Sequence, residues 1–184
     1  MTEYRAKFSV LMSVYKNDDS ACLKEALQSV FSQTLPPAQV VLVADGPLTE
    51  QLEQVIAQYK DALTIVRLKQ NGGLGAALQA GLKECAYPLV ARMDSDDISL
   101  PNRFELQIKA FEADKNLSIV GGVIREIDFK TKEQKALRVT PLKDKEIKRY
   151  LKTRCPFNHV TVMFKKQDIL DCGGYLPLHL REDY

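Results

Sequence analysis

Four times before residue 115 the chain follows a short β-forming apolar run with a segment of helical spacing, and few folds accept that order. Residues 8–14 are the first run. Residues 18–34 follow, with Cys22, Leu23, Ala26, Leu27, Val30 and Phe31 recurring three or four positions apart. Asp18, Asp19 or Ser20 supplies the N-cap, and Pro36-Pro37 lies beyond the helix end. Residues 40–44 precede a helix over 49–59, where Leu52, Val55, Ile56 and Tyr59 share a face, and residues 63–68 precede a helix through Leu78 and Leu82 that ends near Cys85. Residues 89–93 precede a helix over 101–114, with Pro101 in its first turn and Phe104, Ile108 and Phe111 on its buried face. Strands joined by helix-length segments run parallel with right-handed crossovers. The unbroken Val-Val-Leu-Val-Ala of 40–44 suits a strand covered on both faces. The predicted fold class is therefore α/β, a three-layer α/β/α arrangement around a mostly parallel sheet.

The pattern changes after Leu117. Residues 118–124 read as a further strand. Residues 125–139 read as a small antiparallel excursion turning near Lys130-Thr-Lys-Glu133, and 143–154 as a basic amphipathic helix. A last strand is predicted over 160–164 and a short helix over 167–171, stopped by Gly173-Gly174. At 184 residues the chain suits a single domain, 1–184.

A formal net charge of +2 gives no field that would draw nucleic acid. Cys22, Cys85, Cys155 and Cys172 form no Cys-x-x-Cys pair and read as reduced thiols of a cytoplasmic protein. No apolar run reaches the roughly 18 residues of a membrane span. Peripheral contact with the inner face of a membrane stays open. The cations of residues 143–154 suit either that contact or plain solvation.

In an open parallel sheet, ligands bind beyond the carboxyl ends of the strands. Each of the first four strands runs into unusual residues there: Tyr15-Lys16-Asn17, Asp45-Gly46, Asn71-Gly-Gly-Leu-Gly75, and Asp94-Ser95-Asp96-Asp97. Together they suit a nucleotide diphosphate. Three adjacent carboxylates repel one another unless a cation sits among them, and hard oxygen ligands favour Mg²⁺ or Mn²⁺. The alternative is an acidic loop that caps the next helix. Tyr15 can stack on a base or fill the core. Asp45 can accept a hydrogen bond from a base N–H, and the turn containing Gly73 and Gly75 lets backbone approach an anion at a helix start. Arg92, inside an apolar strand, requires a counter-charge such as Asp94.

Ser13-Val-Tyr15, Val43-Ala-Asp-Gly46, residues 71–81, Arg92-Met-Asp-Ser-Asp-Asp97 through Arg103 with Gln107, Phe157-Asn-His159 and Glu182-Asp183 together resemble a family 2 glycosyltransferase of the GT-A type. The likeness is to bacterial members that build surface polysaccharides. It implies an inverting transfer from a nucleotide-diphospho-sugar, usually a UDP-sugar, to a saccharide or lipid-linked saccharide acceptor. It also implies Asp94 and Asp96 as the Asp-x-Asp pair, Asp96 on the metal, Asp94 on metal or ribose, and Asp183 as catalytic base. Tyr15, Asp45, Asn71, Gly73, Gly75, Arg92, Asp94 and Ser95 then form the nucleotide-sugar site, while His159 and Glu182 are candidate acceptor or phosphate contacts. Many family members carry two acids after the second strand, whereas here Ala44 precedes Asp45. Family members also continue past the presumed base, so the resemblance implies a nucleotide-binding part over about 8–100 and an acceptor-side part over about 101–184 that is incomplete, in a chain shortened at its C-terminus. Two other classes compete. A sugar nucleotidyltransferase would carry a glycine-rich loop after its first strand, and Val14-Tyr-Lys-Asn-Asp-Asp19 has no glycine. A nucleotide-sugar-binding module without turnover would keep the donor residues alone.

Overall fold

The structure, a computed structural model, describes residues 6–128, 131 and 133–176. The strands are β1 (Phe8–Val14), β2 (Gln39–Ala44), β3 (Leu63–Arg67), β4 (Leu89–Met93), β5 (Ile119–Val120), β6 (Ile124–Ile127), β7 (Gln134–Arg138) and β8 (Met163–Lys165). The helices are α1 (Ser20–Phe31), α2 (Glu50–Gln58), α3 (Leu74–Glu84), α4 (Arg103–Ala113), α5 (Asp144–Tyr150) and α6 (Lys166–Asp171). Six strands form one sheet in the order β3-β2-β1-β4-β8-β5, and β6 with β7 forms a separate ribbon. The first four strands are mutually parallel, with Val10 beside both Val40 and Ala91; β8 enters antiparallel between β4 and β5.

Side-chain alternation along each strand divides the interior into two layers. On one face Val10, Met12 and Leu42 pack with Leu23 and Leu27 of α1, Leu52 and Ile56 of α2, and Phe104 and Ile108 of α4. On the other, Leu11, Val41 and Val43 pack with Leu78 and Leu82 of α3 and with Phe164. Gly81 lets α3 lie close, since a Cβ there would stand 2.5 Å from Leu11 Cδ1 and Val43 Cγ2. The three-layer expectation therefore holds in physical detail.

Several boundaries differ from those the sequence suggests. Asp19 caps α1, its Oδ1 accepting from the Ala21 and Cys22 amides. Pro101 lies in a turn ahead of the Asn102 cap, so it precedes α4 instead of occupying its first turn. The strand predicted over 118–124 breaks after Val120, because Gly121-Gly122 separates a sheet edge from the free ribbon. The last predicted strand begins late: His159–Thr161 form a 3-10 turn, and pairing starts at Met163. The basic helix is only Asp144–Tyr150, and none of its residues is buried. With so little apolar surface to bury, nothing extends it to Arg154.

Candidate functional site

The parallel order brings the ends of β1, β2, β3 and β4 to one edge of the sheet. Tyr15 leaves β1 at 40% exposure, which removes it from the core and leaves its ring available at the edge. At β2, the Asp45 side chain turns toward the glycine segment: Oδ1 accepts from the Gly72 amide at 2.7 Å, and Oδ2 accepts from the Gly73 amide at 3.0 Å and Asn71 Nδ2 at 2.9 Å. Asp45 is buried in doing so. Gly46 makes this approach possible, with φ of +86° and room for a Cβ only 2.7 Å from the Asn71 amide nitrogen. Gly73 caps α3 and Gly75 lies buried in its first turn. Asp45, Asn71 and the glycine turn are thus one hydrogen-bonded unit. A carboxylate has about four acceptor positions, so this unit still has capacity for a base N–H.

The carboxylates after β4 are the densest charge in the region. Oxygen atoms of Asp94, Asp96 and Asp97 lie within 4.8 Å of one another. The buried Arg92 pairs through Nη1 with Asp94 Oδ2, as the sequence demanded, while its Nε, also buried, has no partner among the described residues. The Asp97 carboxyl is pushed up to about 6, first by loss of water around it and then by repulsion from Asp94 and Asp96. Because Asp97 as a residue is exposed, the repulsion is the firmer cause. An all-carboxylate oxygen set in which one member resists ionisation is a fit for a hard divalent cation, which would relieve that repulsion.

Three residues that the sequence did not single out as site groups complete the arrangement. Asp18 Oδ2 accepts from Ser95 Oγ at 2.8 Å and from the Tyr15 amide at 3.1 Å, tying the β1 loop to the acid loop. Burial raises its pKa most, Ser95 and the Tyr15 amide oppose that, and Asp96 and Asp94 add to it. Two adjacent aspartates ahead of a helix were the available signal, since only Asp19 caps. Arg103 donates from Nη2 to the Arg92 carbonyl at 2.7 Å, from Nη1 to Ser99 Oγ at 2.9 Å and from Nε to Gln107 Oε1 at 3.2 Å. Burial, then the charge of Arg92, brings its pKa down to about 9. Gln33 donates to the Leu100 and Ser29 carbonyls at 2.9 Å, so the loop carrying the acids is pinned from behind.

His159 precedes β8, and its Nε2 is 3.1 Å from the Tyr175 hydroxyl. Burial, and then Arg92, pushes its pKa down to about 3, so at neutral pH the ring is uncharged. Any contact it makes with phosphate is a neutral hydrogen bond. Glu182 and Asp183 lie outside the described residues.

The model of Glycosyl transferase family 2 matches residues 9–174. The UDP-Gal:alpha-D-GlcNAc-diphosphoundecaprenol beta-1,3-galactosyltransferase of Escherichia coli is 39% identical over 186 residues, covering 100% of this chain and 67% of that protein. Among solved structures, S. aureus TarS 1-349 in complex with UDP superposes with a TM-score of 0.73 at 22% identity, over 96% of this chain and 52% of that one. Mannosyltransferase PcManGT from Pyrobaculum calidifontis, in complex with GDP-Man and Mn²⁺, gives 0.71 at 17%, over 98% and 51%. The chain thus spans about two thirds of the curated relative and about half of the solved chains. These likenesses establish the GT-A arrangement of sheet and helices, and the match over nearly all described residues shows that the chain belongs to glycosyl transferase family 2.

Proposed function

We propose that this chain carries the donor half of a divalent-metal-dependent transfer of a sugar, with inversion, from a UDP-sugar to a saccharide or lipid-linked saccharide acceptor in polysaccharide biosynthesis. The carrying observation is the carboxylate trio after β4, with oxygens within 4.8 Å, at the strand edge where Tyr15 and the Asp45 unit also converge. Support comes from similar proteins: UDP is bound in TarS, GDP-Man and Mn²⁺ in PcManGT, and UDP-Gal is in the name of the Escherichia coli relative.

Asp96 and Asp94 would hold Mg²⁺ or Mn²⁺, with Asp97 close enough to contribute. When bound, such an ion supplies charge neutralisation for a departing diphosphate. The chain's own residues do the rest. Arg92 fixes the Asp94 carboxylate from below, and Asp18 holds Ser95 and the Tyr15 backbone in register, so that Tyr15 offers its ring to the base. Asp45 keeps Asn71 and the glycine turn in place and, with its remaining lone pairs, takes a base N–H. The acceptor hydroxyl must lose its proton as it attacks, and Asp183 is the carboxylate assigned to receive it. His159, neutral and next to Tyr175, would serve as a hydrogen-bonding contact to the acceptor or a phosphate oxygen. The cellular setting that suits this chemistry is the cytoplasm, at the inner membrane face where a lipid-linked acceptor would be met.

Calorimetry of UDP binding tests the reading. Affinity should require Mn²⁺ or Mg²⁺ and fall sharply in Asp96→Asn, which keeps shape and loses charge; equal affinity with EDTA would refute metal dependence. In a chain extended beyond Tyr184, Asp183→Asn should lower kcat by about 10² to 10⁴ while UDP affinity stays near that of the parent. Unchanged turnover would remove Asp183 as the base.

A further inference from the structure

Residues 121–155 hold eleven Lys and Arg against five Asp and Glu, although the whole chain is only +2. Everything outside that segment is therefore net acidic, and the positive surplus belongs to the ribbon, the link after it and α5. The same segment exposes large aliphatic side chains: Val123, Ile127, Leu137, Val139 and Leu142 are between 42% and 81% exposed. They are not scattered. Pairing sets Arg125 opposite Leu137 and Ile124 opposite Arg138, and the exposed Val123 and Val139 flank the latter pair at the ribbon's base. Every residue of β7 is exposed, and the link through Leu142 leads directly into Lys143, Lys145, Lys148 and Arg149. A two-stranded ribbon with an open aliphatic face is marginal in water by itself. Hydrogen bonds from Asn158 Nδ2 to the Gly122 and Arg138 carbonyls, at 2.9 and 3.1 Å, hold its base to the body and leave the aliphatic face outward.

We propose that this ribbon face, with the Leu142 link and the cations of α5, docks on an anionic lipid bilayer. Aliphatic tips interleaved with Lys and Arg match an interface whose acyl boundary takes the former and whose headgroups attract the latter. A second copy meeting the same face would bring two surplus-positive surfaces together, which repel. The surface extends the reading of a lipid-linked acceptor and shares no residue with those assigned to UDP, so lipid docking and donor binding are read out separately.

The test is co-sedimentation of the full 184-residue chain with vesicles of phosphatidylcholine plus phosphatidylglycerol, set against phosphatidylcholine alone. Binding should require the anionic lipid and weaken as salt rises. Each Lys or Arg at such a surface is worth about a five-fold change in partition, so Lys143→Glu with Lys145→Glu should lower it by more than ten-fold. Leu137→Asn with Val139→Ser should lower it with the cations intact. Both double variants should keep the parent's melting temperature and UDP affinity, which separates lost docking from lost folding. No sedimentation with mixed vesicles at low salt, equal binding to both vesicle types, or unchanged partition of both variants would overturn the proposal. So would concentration-dependent self-association without lipid that the Leu137 and Val139 changes abolish, since the face would then belong to a second copy.

Discussion

The strand-edge site and the ribbon that follows it are built by opposite means. Behind the acid loop, Ser29, Gln33, Ser99, Arg103 and Gln107 form a polar lattice under an apolar layer in which Phe8 and Phe104 meet edge to face at 5.1 Å. In the ribbon and α5, strand pairing and exposed ion pairs such as Lys148–Asp144 act within each element, and no residue of β7 or α5 is buried. Rigidity is thus concentrated where carboxylates must be held against mutual repulsion. Where the chain presents an outward surface, Asn158 holds it at its base. Positioning charge needs a supporting shell, whereas docking to a soft surface does not.

The largest expected break in this contrast is mechanical. Phe104 is fully buried, so Phe104→Ala should cost about 3–5 kcal/mol by transfer and cavity terms, whereas Leu137→Ala on the exposed ribbon should change stability by about 0.5 kcal/mol or less. Urea unfolding of the two variants measures both. Similar losses would mean that the ribbon is bound into the core after all.

Within the site, Asp45→Ala removes the acceptor of two backbone amides and of Asn71, and should cost about 1–3 kcal/mol. It should also weaken UDP and leave free Mn²⁺ affinity unaltered. Asn71→Ala sharpens the assignment, because it loosens the turn and leaves the Asp45 carboxylate in place. UDP affinity retained in Asn71→Ala and lost in Asp45→Ala would favour direct base contact; parallel losses would favour loop support.

The same contrast explains what could be read in advance. Strands and helices up to Ala113 follow from apolar periodicity because burial on two faces enforces that periodicity, and the Arg92–Asp94 pair follows from a cation in an apolar strand. Asp18 escaped because side chains that serve another loop leave no periodic trace. The double use of Asp45, as loop organiser as well as candidate base contact, was hidden for the same reason. Beyond Leu117 the element boundaries depart from the sequence pattern where burial relaxes: Gly121-Gly122 ends a strand, and α5 stops short of the length its charge pattern suggests.

The smallest expected effect lies where the two regions meet, at His159, which follows Asn158 and touches Tyr175. In the unfolded chain this imidazole takes up a proton below about pH 6.5, while in the folded protein burial and Arg92 delay that to about 3. Between those values the unfolded state holds the extra proton, so stability should fall as pH is lowered, by about 1.4 kcal/mol per unit below 6.5. Asp97 works in the other direction. Its carboxyl, pushed up to about 6, keeps its proton longer in the folded state, so its contribution is full below about pH 4 and disappears as pH rises through 6. The two slopes oppose each other in the parent protein, and a pH series on it alone would show little. Comparing the parent with His159→Gln isolates the histidine: the stability difference should move in favour of the variant as pH falls from 6.5 to 5, by about 2 kcal/mol in all. A constant difference across that range would mean that His159 is free to protonate in the folded state, and that the β8 entry is as open to solvent as the ribbon.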